Sequence, residues 1–85
     1  MTMGKGNIAA ISRKRSEAAI RCEDGQYTLI SFLSESWTPA VGESVEGDLR
    51  RLGFRDLTVG DGDLALVEVQ SYNCSMEFAK ARLTA

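Results

Sequence analysis

Short apolar stretches recur along this chain, and each is cut by glycine or by the single proline. The breaks fall at Asp24-Gly25, at Pro39 to Gly42, at Gly53 and at Gly60-Asp61-Gly62. Short runs rich in β-branched and aromatic residues, separated by such turn residues, predict strands joined by tight connections. The spacing points to an all-β fold, a small antiparallel barrel of five to six strands.

Residues 6–12 predict the first strand. Ile8 and Ile11 differ in parity, so a flat strand cannot bury both, and a bulge or strong bend is required. Arg13 to Glu17 read as a polar turn. Ala18 to Cys22 form the second strand, with Ala18, Ile20 and Cys22 sharing a face. Tyr27 to Leu33 are the most β-prone stretch. Thr28, Ile30 and Phe32 lie on one side, and Tyr27, Leu29, Ser31 and Leu33 on the other. Both sides are partly apolar, which fits a central strand or one carrying a binding face. Ser34 to Glu43 are a loop, Ser44 to Leu52 a fourth strand with Val45 and Leu49 inward, Phe54 to Val59 a hairpin arm, and Leu64 to Ser71 the last strand. Ser75 to Leu83 fit a short helix capped by Ser75 rather better than an edge strand. The expected core is Ile8, Ile11, Ile20, Ile30, Phe32, Val45, Leu49 and Val67.

A length of 85 residues makes residues 1–85 a single domain. A chain this short buries only about 60% of its unfolded surface, so its stability is modest. No apolar run approaches the ~20 residues of a membrane span. The N-terminal residues lack the apolar centre of a signal peptide, which makes the cytoplasm the expected compartment. In that setting Cys22 and Cys74 are expected as free thiols, Cys22 facing the core. There is no histidine, and neither a metal site, a cofactor nor a small-molecule substrate is suggested. Asp61, Asp63 and Glu68 lack the spacing of a calcium loop, and Glu46 and Asp48 read as a solvated strand face.

The net charge of −2 is unevenly spread. Residues 1–34 carry five basic and three acidic side chains, residues 35–77 three basic and nine acidic, and the last eight residues two basic and none acidic. A contact to nucleic acid would therefore need a local patch.

Three segments carry a family resemblance. They are Lys5-Gly6-Asn7-Ile8-Ala9-Ala10-Ile11, Thr28-Leu29-Ile30-Ser31-Phe32 and Val41-Gly42-Glu43-Ser44-Val45-Glu46. Together they resemble the cold-shock domain, a barrel of the oligonucleotide-binding (OB) fold, over roughly the first fifty residues. The resemblance implies an OB-like barrel and binding of single-stranded nucleic acid. Its aromatic platform is mostly replaced here. Ala10 stands where the family has tryptophan, Arg15 to Ile20 contain no aromatic residue, and Leu29 and Ser31 replace phenylalanine and histidine. Only Phe32 remains. Each stacked base contributes ~1–3 kcal/mol on such a platform, so most of the non-electrostatic affinity is absent.

The leading expectation is a non-enzymatic module that binds single-stranded nucleic acid, RNA before DNA, with little sequence preference. Its phosphate contacts would come from Arg13, Lys14, Arg15, Arg21, Arg50, Arg51 and Arg55, provided the barrel brings their turns to one side, and its stacking from Phe32 and Trp37. Trp37 has a second reading, as a lid over one barrel end. The competing expectation is a protein-interaction module on an OB-like or SH3-like barrel, using Leu29, Leu33 and Trp37 as an apolar patch. A continuous basic stripe would favour the first, and scattered arginines the second.

Overall fold

The conflict between Ile8 and Ile11 is settled by a register shift between Ile8 and Ala10. Ala9 bulges out, so Ile8 is buried and Ile11 packs against the same core. This strand, β1 (Gly4–Ser12), opens a computed structural model that describes residues 4–33, 37–60 and 62–84. It is followed by β2 (Glu17–Cys22), β3 (Tyr27–Phe32), β4 (Ser44–Gly47), β5 (Gly53–Val59), β6 (Asp63–Cys74) and α1 (Met76–Thr84). The strands close a barrel in the order β1-β2-β3-β6-β5-β4, every pairing antiparallel. Two three-stranded meanders are thus joined edge to edge, β3 to β6 and β4 to β1. Among the described residues, no helix is long and apolar enough to cross a membrane.

Alternation places Ile8, Ala18, Ile20, Ile30, Val45, Leu57, Ala65, Val67 and Val69 in one interior core. Two loop residues complete it. Trp37 packs beside Phe32, and Leu49 sits at the other end, where its carbonyl accepts a 2.9 Å hydrogen bond from the buried Thr28 hydroxyl. The expected core holds except at Ile11 and Phe32, which are half-buried at the barrel rim.

β4 is shorter than the expected Ser44–Leu52. After Gly47 the chain leaves the ladder to carry Leu49 across the barrel end, and it returns at Gly53, whose φ of 108° suits glycine. β6 is longer, running to Cys74, where Asn73 adopts the left-handed conformation that asparagine tolerates. That bend aims the chain into α1. The Ser75 hydroxyl accepts the Phe78 N–H at 3.1 Å, an N-cap worth about 1 kcal/mol. A helix of nine residues is marginal alone. It persists because Ala79 and Leu83 are buried against Ala19, Leu29 and Cys74, forming a second apolar cluster outside the barrel.

Candidate functional site

Of the positions where the resemblance places a binding platform, Ala10, Ala19 and Leu29 lie on the outer face of β1–β2–β3, and α1 covers that face. Ala10, Ala19 and Leu29 meet Cys74, Ala79 and Leu83. Small side chains at Ala10 and Ala19 let the helix approach, and Leu29 fills the space beneath it. Phe32 points the other way, into the rim of the barrel core. The missing aromatics therefore have a structural cause: this face is an internal contact.

A polar chain fastens the end of α1. Glu17, 7% exposed, accepts a 2.9 Å hydrogen bond from Arg15 Nε and lies 4.0 Å from Arg82 Nη2. Arg82 also donates to Gln70 Oε1 at 3.2 Å, and the Gln70 amide donates to the Ser31 hydroxyl. Cys74 lies under the same helix, and burial pushes its thiol pKa up. Because the folded value lies above the unfolded one, the stability linked to this thiol is intact at neutral pH. It is lost as pH rises past the ordinary thiol range. Glu17→Ala should weaken helix docking by about 1–2 kcal/mol, discounted because both arginines are partly solvated. Alkylation of Cys74 by iodoacetamide should then accelerate roughly tenfold through more frequent local opening. An unchanged rate would mean that Glu17 does not hold α1.

Both cysteines are free. Cys22 packs against the interior core with its Sγ 3.5 Å from the Thr28 hydroxyl.

The cations do not form the expected single patch. Arg13, Lys14 and Arg15 occupy the β1–β2 turn, at the Glu17 end of β2. Arg50 is tied by an ion pair to Asp24 in the β2–β3 turn, at the Cys22 end. These ends are separated by the length of β2, about 17 Å at ~3.3 Å per residue. Several cations are also engaged. Arg13 Nη2 donates to the Pro39 carbonyl at 3.4 Å, Arg15 meets Glu17, and Arg55 caps the carbonyls of Arg51 and Leu52 at 3.3 and 3.2 Å. Arg21 and Arg51 are exposed. Arg21 borders a groove of about 630 Å³ beside β1 and β4, where Lys5 lies 3.8 Å from Glu46 and Glu23 also lines the wall. The two turns and Arg21 are thus scattered among acidic partners rather than joined in a stripe.

Trp37 is a lid. It is 9% exposed, its ring meets Phe32 edge-on at 6.3 Å, and its Nε1 donates to Glu43 Oε2 at 3.1 Å. Neither face is open for a base to stack on. The expected apolar patch of Leu29, Leu33 and Trp37 is corrected in the same way: Leu29 lies under α1 and Trp37 in the core, and only Leu33 is exposed.

A different apolar surface is present. Phe54, Leu64 and Leu66 project from the outer face of β5–β6 and are 65%, 66% and 43% exposed. Leu33 adjoins them, since its N–H donates to the Leu66 carbonyl at 3.1 Å. Cross-strand pairing sets Phe54 opposite Glu68 and Asp56 opposite Leu66. The surface is therefore apolar and acidic together. Sequence reading missed it, although one signal was present: β6 is apolar at both parities, with Leu64 and Leu66 opposing Ala65, Val67 and Val69. A strand apolar on both sides needs a cover on each, and no element of the described residues covers this one.

Comparison with known proteins yields no match: no family model, no curated protein and no solved structure is significantly similar to this chain.

Proposed function

We propose that this protein is a non-enzymatic protein-interaction module on an OB-like barrel, and that its contact surface is the outer face of β5–β6. One observation carries the reading. Four large apolar side chains, Leu33, Phe54, Leu64 and Leu66, are clustered and exposed there, whereas the platform face is filled by the protein's own helix. Contiguous exposed apolar side chains in a small domain mark contact sites. Against nucleic acid stand the separation of the basic turns, the pairing of Arg50 with Asp24 and the burial of Trp37.

The test compares three proteins: the unaltered chain, Leu64→Asp combined with Leu66→Asp, and Arg13, Lys14 and Arg15 all changed to alanine. Both changed leucines are solvent-exposed, so the melting temperature should hardly move. Affinity capture from a cell extract should lose its specific partners with the leucine variant and keep them with the basic-turn variant. A fluorescent single-stranded oligonucleotide should not bind at low salt. The nucleic-acid reading would prevail if it bound with a salt slope near −0.7 per phosphate and lost affinity with the basic-turn variant.

A further inference from the structure

The register of the strands maps the outer face of β5–β6. Phe54 stands opposite Glu68, Asp56 opposite Leu66 and Thr58 opposite Leu64. The even-numbered positions of both strands share this face, because the odd-numbered Leu57, Val59, Ala65, Val67 and Val69 fill the core. β3 extends the face on the other side of β6. Phe32 pairs with Val67 and Ser31 with Glu68, which sets Leu33 level with Leu66. Phe54 and Leu66 are thus diagonal neighbours, about 7–8 Å apart. Asp56 and Glu68 occupy the opposite diagonal. The apolar line from Phe54 to Leu66 therefore has a carboxylate on each side.

This arrangement restricts what can cover the face. A strand presents a single row of side chains to one side. It can follow the apolar line or meet the carboxylates beside it, but not both. A helix can do both, because its apolar stripe is bordered by further positions on each flank. The length also matches. Phe54 stands level with Glu68, four residues from Leu64, so the apolar positions span about 13 Å along the strands. A helix of nine residues, the length of α1, covers about the same distance. The fold already uses this solution on its other outer face, where α1 lays Ala79 and Leu83 against Ala19 and Leu29.

Resting on the protein-interaction reading above, we propose that the occupant of this face is an amphipathic helix of another protein, its apolar stripe flanked on both sides by lysine or arginine. The stripe lies over Phe54, Leu66 and Leu64, and the flanking cations meet Asp56 on one side and Glu68 on the other. Charge complementarity supplies the sign. Neither carboxylate makes an ion pair among the described residues, and the outward positions of β5 and β6 carry no cation. The same charges argue against a second copy of the chain, since a two-fold contact through this face sets Asp56 and Glu68 against their own counterparts. Nor can another copy's α1 serve, because its apolar stripe is committed to its own barrel.

The probe is a synthetic peptide of leucine, alanine and lysine, with leucines at helical spacing and lysines on both flanks. It is titrated into the intact protein at low salt and followed by amide NMR and circular dichroism. It should gain helicity and shift the Leu33, Phe54, Leu64 and Leu66 amides. Four controls accompany it: the same residues reordered to alternate leucine and lysine, the peptide with glutamate for lysine, the Leu66→Asp protein, and the protein with Asp56→Asn and Glu68→Gln. Each should weaken binding at least roughly tenfold, about 1.4 kcal/mol. Equal binding of the reordered peptide, or binding without gain of helicity, overturns the helix. Equal binding of the glutamate peptide or by the amide variant overturns the charge assignment, and equal binding by Leu66→Asp overturns the site. A dimer that shifts the same amides without peptide identifies a second copy as the occupant and overturns the proposal. If the helical peptide does not bind while Leu64→Asp with Leu66→Asp still abolishes capture from extract, the helix falls and the interaction reading stands. If that double variant leaves capture intact, the reading itself falls.

Discussion

Gly6→Ala is expected to destabilise the fold by about 3 kcal/mol, and Gly6→Val to prevent folding, through overpacking of a closed core. Gly6 lies on the inner side of β1, between Cys22 of β2 and Val45 of β4. A Cβ there would stand 2.5 Å from Ile20 Cγ2 and 2.7 Å from the Arg21 carbonyl oxygen. Ile20 is fully buried and has no room to swing, and the Arg21 carbonyl is part of the strand backbone. Relief would require β1 to move away from β2. Two other glycines calibrate the effect. Gly47→Ala meets the tip of the equally buried Leu57 at 2.5 Å but backbone only at 3.6 Å, so no strand need move and its cost should be smaller, about 1–2 kcal/mol. At Gly4 the nearest atoms are 3.5 and 3.6 Å away, and alanine should be nearly neutral. Stability of this size class is about 0.05–0.15 kcal/mol per residue, hence roughly 4–13 kcal/mol here. Urea unfolding followed by Trp37 fluorescence gives the order directly. Equal midpoints for Gly4→Ala and Gly6→Ala would refute it.

Trp37→Ala should cost about 3–5 kcal/mol, the range for truncating a buried large aromatic. The ring fills the barrel end against Phe32, and its loss also frees one oxygen of Glu43. The other Glu43 oxygen accepts the Ala40 N–H at 3.2 Å, so the loop should loosen with it. For a domain of this length each 1 kcal/mol moves the melting temperature by roughly 4–8 °C, so a drop of at least about 12 °C is expected by circular dichroism. A stacking residue behaves oppositely: its removal abolishes binding and leaves melting unchanged. Retained stability in Trp37→Ala would return the ring to the candidate site.

The candidate site was far less legible in the sequence than the barrel, and particular residues show why. Leu29 and Ser31 mark an outward face on β3, but outward parity does not say whether solvent, a partner or another part of the chain lies beyond. Ala10 and Ala19 belong to other strands, and only the fold shows that they make room for Ala79 and Leu83. The arginine clusters read as one patch because a sequence does not show which turns share a barrel end. Asp24 supplies the link that separates them, since it holds Arg50 at the end opposite Arg13 to Arg15. Phe54 looks like an ordinary strand residue in the sequence, and only its pairing with Glu68 shows that it sits diagonal to Leu66 on the outer face.

Local rules were enough for the all-β architecture, the turns at Asp24-Gly25 and Gly60 to Gly62, the bulge between Ile8 and Ile11 and the helix capped by Ser75. Each depends on backbone preferences and side-chain periodicity over a few neighbouring residues, and these act wherever the segment ends up in space. Tertiary structure alone decided that β4 stops at Gly47, that Trp37 closes the barrel, that α1 covers β1–β2–β3 and that β5–β6 stays open. These outcomes depend on which apolar surfaces can reach one another once the barrel has closed. Ala79 and Leu83 find Leu29 across fifty residues of chain, and Leu64 and Leu66 find no cover within the described residues.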